Sequence, residues 1–455
     1  MTNEQHILEA SSSSLWHPMQ RPSDLKSNPP MMIVEADGIH VVDNCGRRYL
    51  DATAGGLSNV TLGYSASSIK QAMAKQLDKL PYYSAFRGHT NEPAEKLSHQ
   101  LTEEWFKSEN MRRVFLTSGG SDSVDTAMRL ARQFWKIQGS GDRYKFLAMR
   151  NGYHGTHFGG ASLNGRSAVR RPYEPLLQGC FHIPVPSTFR NTFDEQDPEK
   201  LVRLCISVLE EEINFQGADT IAALFAEPIS GAGGLVVPPA SFWPELRRVC
   251  DKYDILLIAD EVITGFGRTG EDSGSRVWNV KPDMMCVAKA ITSGYFPLGA
   301  TLLNERVASA FETNESVKSL IGHGYTNSGH PVGCAAAIAT LDLYRSLGTT
   351  AMAKARGDML LKSLIEMMDR FPKIGQASGK GLHLCLDIVD QPNTNVAASM
   401  EQMTKISLAA EAVGLLVRIN GSQVLITPPL IVTEAQTVEI ADLLRLALDK
   451  AFHVE

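Results

Sequence analysis

Lys289 closes the segment Asp283-Met284-Met285-Cys286-Val287-Ala288-Lys289, so a primary amine sits at the end of a mostly apolar run. A desolvated lysine amine has a lowered pKa and attacks carbonyl carbons. A second apolar run, Ile255 to Ala259, ends in Asp260-Glu261, with Asp260 29 positions ahead of the lysine. A buried carboxylate at a strand end needs a cationic partner. Pyridoxal phosphate would answer both needs, through its aldehyde and its protonated ring nitrogen. A third segment, Thr117-Ser118-Gly119-Gly120-Ser121-Asp122-Ser123, lies between an expected strand and an expected helix. Its glycines let backbone N–H groups approach an anion, and a helix start favours negative charge. The dinucleotide pattern GxGxxG is not satisfied at this turn, which also comes late in the chain, and GxxxxGK[ST] occurs nowhere, so the P-loop reading fails.

The elements that must position these groups alternate. Ile33–Glu35 and Ile39–Asp43 read as a hairpin through Asp37-Gly38. Strands are expected at Arg113–Leu116, Phe146–Met149, Ile221–Glu227, Ile255–Asp260, Met284–Ala288 and Gly299–Leu303. Helices are expected at Ser123–Trp135, Pro198–Glu212, Ser241–Tyr253 and Val332–Tyr344. The strands are continuous apolar runs, the pattern of a mainly parallel sheet covered on both faces. From about Met352 the pattern changes to a helix reaching Phe371, a strand Gly381–Ile388 and a helix Ser399–Ala412. Short strands near Leu416–Ile419 and Val424–Thr427 and a last helix from Thr433 complete a smaller α+β unit. Residues 1 to about 30, with the Ser11–Ser14 tract, read as irregular.

With 44 basic and 50 acidic residues interspersed, there is no basic stripe for nucleic acid and no polybasic patch for a membrane. Seven single cysteines without CxxC pairs suit a reduced, cytoplasmic protein. No signal peptide, bilayer-spanning run or metal-ligand spacing is legible.

In order along the chain stand Leu50-Asp51 with Ala54-Gly55, the turn Thr117–Ser123, Gly152-Tyr153-His154-Gly155, and Ala226-Glu227-Pro228-Ile229. Asp260-Glu261-Val262, Gly265-Phe266-Gly267-Arg268-Thr269-Gly270, Ala288-Lys289 and Tyr325-Thr326-Asn327-Ser328-Gly329-His330-Pro331 follow. In these motifs the chain resembles the class III (subgroup II) aminotransferases, or ω-transaminases, from about Trp16 to its end. The resemblance implies the fold-type I architecture of pyridoxal-phosphate enzymes. An N-terminal segment (1–65) would pack with the small domain and a dimer partner, ahead of a large cofactor domain (66–335) and a small C-terminal domain (336–455). It implies ping-pong transfer of an amino group from an ω-amino acid or amine to an oxo acid, with pyruvate giving alanine. Lyase, decarboxylase and aminomutase chemistry on the same scaffold is the alternative.

By that resemblance Lys289 forms the Schiff base with the cofactor and then moves the substrate proton, and Asp260 keeps the pyridine nitrogen protonated. Val262 and Tyr153 cover the two ring faces, Gly120 and Ser121 hold the phosphate, and His154 and Glu227 stand beside the cofactor. Thr326 reaches the phosphate of a neighbouring subunit, which implies a homodimer or a tetramer. Arg418 resembles a mobile arginine that clamps a carboxylate. Leu57, Phe86, Arg87 and Tyr153 line the substrate pocket, with Arg87 as a second anion anchor. Three departures stand out. Gly56 or Leu57 replaces a frequent aromatic residue, which implies a wider pocket. Gly119 and Asp122 replace the usual Ser and Glu. Ser378-Gly379-Lys380-Gly381 lacks an arginine before its first glycine.

Overall fold

The computed structural model describes residues 14–452 apart from Asn28, so residues 1–13 of the irregular N-terminal stretch lie outside it. The hairpin forms as expected: β1 (Ile33–Asp37) pairs antiparallel with β2 (His40–Asp43), turning at Gly38 (φ +56°), and β3 (Arg48–Asp51) pairs with β2 in turn. The large sheet has seven strands: β4 (Met111–Thr117), β5 (Lys145–Met149), β6 (Cys180–Ile183), β7 (Ile221–Ala226), β8 (Leu256–Asp260), β9 (Met284–Val287) and β10 (Gly299–Asn304). Their order is β4-β10-β9-β8-β7-β5-β6, and β10 alone runs antiparallel to its neighbours.

Both faces of this sheet are covered at its centre, which is why its central strands are apolar runs. Alternate residues of β8 show the division. Leu256 and Ile258 pack with Val124, Met128 and Phe134 of the helix Gly120–Ile137. Leu257 and Ala259 join Leu209 of the helix Pro198–Gln216 and Trp243 of the helix Phe242–Tyr253. Every residue of β7, β8 and β9 is buried. The carboxyl ends of β4, β5, β7, β8 and β9 therefore share one edge, the place where ligands bind in α/β sheets.

Several elements differ from expectation. The helix expected from Ser123 begins at Gly120, so the glycine turn is itself a helix start. Helices Ser67–Lys79 and Glu92–Gln100 and strand β6 are additions. The expected strand Gly381–Ile388 is the second arm of a hairpin, β11 (Ile374–Lys380) with β12 (His383–Ile388). The expected strand Leu416–Ile419 is two strands in different sheets. β13 (Leu415–Leu416) pairs in parallel with β3, whereas β14 (Arg418–Asn420) pairs with β15 (Gln423–Ile426) at the edge of the small sheet β11-β12-β15-β14. The helices Thr349–Arg370, Met400–Ala412 and Glu434–Phe452 accompany that sheet. The helix Pro331–Leu347 runs unbroken through the boundary expected at 335. No helix among the described residues is long and apolar enough to cross a membrane, and all seven cysteines are free.

Glu261, next after β8, folds the following loop back onto the strand end. It is fully buried and accepts N–H bonds from Gly274 and Ser275 (2.7 Å each) as well as the hydroxyls of Thr264 and Ser275. Burial raises its pKa, against the pull of these donors. Removing the carboxylate leaves several buried donors unpaired, so Glu261→Ala is expected to lose about 2–4 kcal/mol of stability. Urea denaturation checks this, and an unchanged midpoint would contradict the clamp.

Candidate active site

Lys289 leaves β9 in a strained conformation, of the kind that gathers at functional sites. Ala288 is extended, and Lys289 itself has φ +47°, in the left-handed region that costs a side-chain-bearing residue about 1–3 kcal/mol. The turn Lys289–Thr292 that follows aims the amine into a cavity of about 300 Å3 at the carboxyl edge. Burial lowers the Lys289 pKa and the charge of Arg418 adds to that, while Asp260 and Glu227 pull upward without cancelling it. The result is an amine with raised nucleophilicity.

Asp260 ends β8 at 4% exposure. Its Oδ2 accepts from His154 Nδ1 (2.8 Å) and its Oδ1 from the Val262 N–H (3.1 Å). His154 is fully buried. Burial opposes its charge, but the bond to Asp260 and the charges of Asp260 and Glu227 hold its pKa above the ordinary histidine value. The loop carrying it is fixed by Asn164, whose side chain accepts the His154 N–H (2.6 Å) and donates to the Gly155 carbonyl (2.9 Å).

The opposite wall is the start of the helix Gly120–Ile137. Its N-cap residue is Gly119, which supplies no side-chain cap. Among the described residues none accepts from the N–H groups of Gly120 or Ser121. A Cβ built on Gly120 would lie 3.0 Å from a Val262 methyl, so the glycine keeps this end open. Ser121 Oγ accepts the Thr156 N–H (3.1 Å), which orients the hydroxyl.

Glu227 follows β7 and faces the same cavity. Oε1 accepts the Tyr153 N–H and Oε2 the Gly231 N–H, each at 3.0 Å. Burial, with Asp260's charge adding, pushes its pKa up to about 7 despite those bonds. The structure thus brings Leu57, Gly120, Ser121, Tyr153, His154, Glu227, Asp260, Val262 and Lys289 around one space. Arg418 stands close enough to lower the Lys289 pKa but does not line that cavity. Its half-buried guanidinium has no acceptor among the described residues, and burial lowers its pKa. Phe86 and Arg87 line a separate hollow of about 390 Å3, and Thr326 is exposed, with its carbonyl accepting from the Tyr82 hydroxyl (2.8 Å). One chain does not bring these three to Lys289.

Asn59, Phe296 and Asn164 are site residues that the sequence reading missed. Asn59 has a buried, unpartnered Oδ1 on the cavity wall. Phe296 also lines the cavity and packs on His330 at 4.8 Å between ring centres. An aromatic residue in a loop at the carboxyl edge was the available signal for Phe296; Asn59 depends on long-range placement, and Asn164 on the loop from His154 closing back on itself.

Pyridoxal phosphate fits this donor set. The free N–H groups at a helix start suit a phosphate. The buried Asp260 suits a cationic ring nitrogen, and the Lys289 amine opens into the space between these walls. The comparisons agree. Residues 23–448 match the family model described as aminotransferase class-III. The chain is 33% identical over 428 residues to the diaminobutyrate–2-oxoglutarate transaminase of Halomonas elongata, covering 93% of this chain and 91% of that one. It is 33% identical over 420 residues to the putrescine–pyruvate aminotransferase of Pseudomonas aeruginosa, covering 92% and 90%. The fold superposes with a TM-score of 0.93, at 44% identity, on the pyridoxal-phosphate-bound crystal structure of an amine transaminase from an uncultivated Pseudomonas species, covering 97% and 98% of the two chains.

A Cβ built on Gly233 would lie 1.2 Å from the Asn151 carbonyl oxygen. Relief requires moving the loop that carries Tyr153 and His154. Gly233→Ala is expected to cost about 100-fold in kcat/KM, and a loss below about threefold would show that the loop adapts.

Proposed function

The chain belongs to the class-III aminotransferases and is a pyridoxal-phosphate-dependent transaminase, and from that premise we propose that it moves an amino group from an amine or ω-amino acid to pyruvate. The observation that carries the reading is Lys289, strained and depressed in pKa, opposite Asp260 in one cavity. The relatives compared are transaminases, which favours amino transfer over the lyase, decarboxylase and aminomutase alternatives. The cofactor, when bound, supplies the electron sink that stabilises negative charge at the substrate carbon.

The proposed roles follow from the chemistry of each group. Lys289 Nζ holds the cofactor and, once freed, moves the proton at the substrate carbon. Asp260 keeps a proton on the ring nitrogen, and His154 holds Asp260 in place through the 2.8 Å bond. Val262 and Tyr153 restrain the ring from either face. Gly120 and Ser121 donate to the phosphate. Glu227 sets the charge beside the Lys289 amine. Arg418 clamps the oxo acid's carboxylate and turns away for an uncharged amine. Leu57 and Gly56 leave the donor side wide: a Cβ on Gly56 would meet nothing within 4 Å. This suits donors with a bulky apolar group next to the amine. The acceptor is the finer point, because the two relatives are named for pyruvate and for 2-oxoglutarate.

Thr326, Phe86 and Arg87 serve the cavity of a second copy in this reading, as a homodimer or a pair of dimers. Exposed Tyr82, Tyr83, Phe86, Leu320 and Ile321 support such pairing. The units are an N-terminal segment (1–65), a cofactor-binding unit (66–335) and a C-terminal unit (336–455), and seven unpaired cysteines support the cytoplasm as its compartment.

Incubating the reconstituted enzyme with amine donors and pyruvate should yield alanine. Release of ammonia or carbon dioxide in its place would end the transaminase assignment. Lys289→Ala is expected to abolish turnover, and Asp260→Asn to reduce kcat about 100-fold or more. A near-parental kcat for Asp260→Asn would remove its assigned role. Glu227 takes up a proton as pH falls through about 7. That step deletes a negative charge which had favoured the Lys289 ammonium, so the amine pKa is lower with Glu227 protonated than with Glu227 ionised. The profile of kcat/KM should therefore bend near pH 7 for the parent and lose that bend in Glu227→Gln.

A further inference from the structure

Glu227 walls two spaces at once. One is the Lys289 cavity; the other is a chamber of about 20 Å3 behind the loop that follows β7. Side chains of Met149, Val185, Pro228 and Phe242 make that chamber largely apolar. The exception besides Glu227 is Ser230, whose Oγ is buried and has no hydrogen-bond partner among the described residues. Nearly all buried hydroxyls in folded proteins are bonded to protein or to ordered water. Ser230 cannot relax away, because its N–H donates to the Val236 carbonyl and its carbonyl accepts the Val236 N–H, both at 3.2 Å. The chamber has room for about one water molecule and for nothing larger. Glu227 keeps lone pairs for it, since each carboxyl oxygen accepts only one backbone N–H.

We propose that the chamber holds one ordered water hydrogen-bonded to both the Ser230 hydroxyl and the Glu227 carboxyl, and that Ser230 acts through it as a positioning residue for Glu227. This rests on the reading of Glu227 as the group that titrates beside Lys289. Facing Glu227 are His154 from the loop after β5, Asp260 at the end of β8 and Lys289 after β9. His383 of β12 lies against the neighbouring Gly231, and burial lowers its pKa to about 3, which keeps it neutral. His154 and Lys289 favour the ionised carboxylate and Asp260 opposes it. The water adds a neutral donor on the side those charges do not reach. It donates to the ionised Glu227 while accepting from Ser230. When Glu227 is protonated, its carboxyl O–H donates to the water, which in turn donates to Ser230 Oγ.

Two measurements test this. A crystal structure of the protein, with or without cofactor, at a resolution that shows waters should place one within hydrogen-bonding distance of Ser230 Oγ and Glu227. In Ser230→Ala the ionised carboxylate loses the water-borne donor, so the bend of kcat/KM near pH 7 should move up by about half to one pH unit. A dry chamber in the parent protein overturns the proposal. So does a Ser230→Ala profile that is lowered evenly at all pH values or is superimposable on the parent's. Glu227→Gln separates the two levels. If the bend persists there, Glu227 is not the titrating group and the underlying reading fails, while the crystallographic water still decides the chamber.

Discussion

Four ionisable side chains, Lys289, Asp260, His154 and Glu227, end up around one cavity, and the rest of the site follows from making that tolerable. An isolated buried charge is costly enough that it neutralises instead. Here the charges answer one another unequally. Asp260 is bonded to His154, whose charge it supports, while Lys289 is bonded to neither carboxylate and keeps a pKa below its usual value. The carboxylates thus stop short of pairing with the amine. Had either formed a direct ion pair with Lys289, the amine would be protonated and inert toward a carbonyl.

Backbone architecture enforces that separation. The three carriers sit at neighbouring strand ends, β7, β8 and β9, held in parallel register by packing on both faces. Backbone strain is present at both places where the chain turns into the cavity. Lys289 has positive φ, and so do Ala54, Gly55, Gly56 and Ser58 in the turn that carries Leu57. Asp51 absorbs that second strain by accepting from the Thr53 and Gly55 N–H groups (2.8 and 2.7 Å) and the Tyr64 hydroxyl (2.7 Å). Arg418 depends on a different device. Val417 alone separates β13, paired with β3, from β14, paired with β15. Two sheets therefore fix the backbone on either side of the arginine, while its side chain is left without an acceptor among the described residues.

The large sheet was legible because double burial leaves an unmistakable apolar run, and the chemistry was legible because charges end those runs. Direction was not written in the runs themselves. β10 runs antiparallel because only the eleven residues 288–298 connect it to β9, and a parallel crossover needs a dozen or more. The half-buried strands β6 and β11 escaped notice for the opposite reason: edge positions tolerate polar and glycine residues, as in Ile374-Gly375-Gln376-Ala377-Ser378. The split at Val417 is set by partners more than 300 positions away in the chain, beyond any local pattern. Among site residues, those on strand ends and glycine turns could be read. Asn59, which depends on distant segments meeting, and Asn164, which depends on how the loop after His154 closes, could not.

The contrast between Asp260 and Glu227 explains why a single cavity can carry both a fixed and a variable charge. Both follow fully buried strands and both accept backbone N–H groups. Only Asp260 has a charge-bearing side chain bonded to it; Glu227 has two neutral donors and, across the cavity, another carboxylate. Environments that differ in this way assign different duties to chemically similar groups. With its histidine behind it, Asp260 is suited to a permanent counter-charge. Glu227, balanced near neutrality, is suited to a charge that comes and goes as the proton on Lys289 does. The amine can then alternate between nucleophile and acid without any strand having to move.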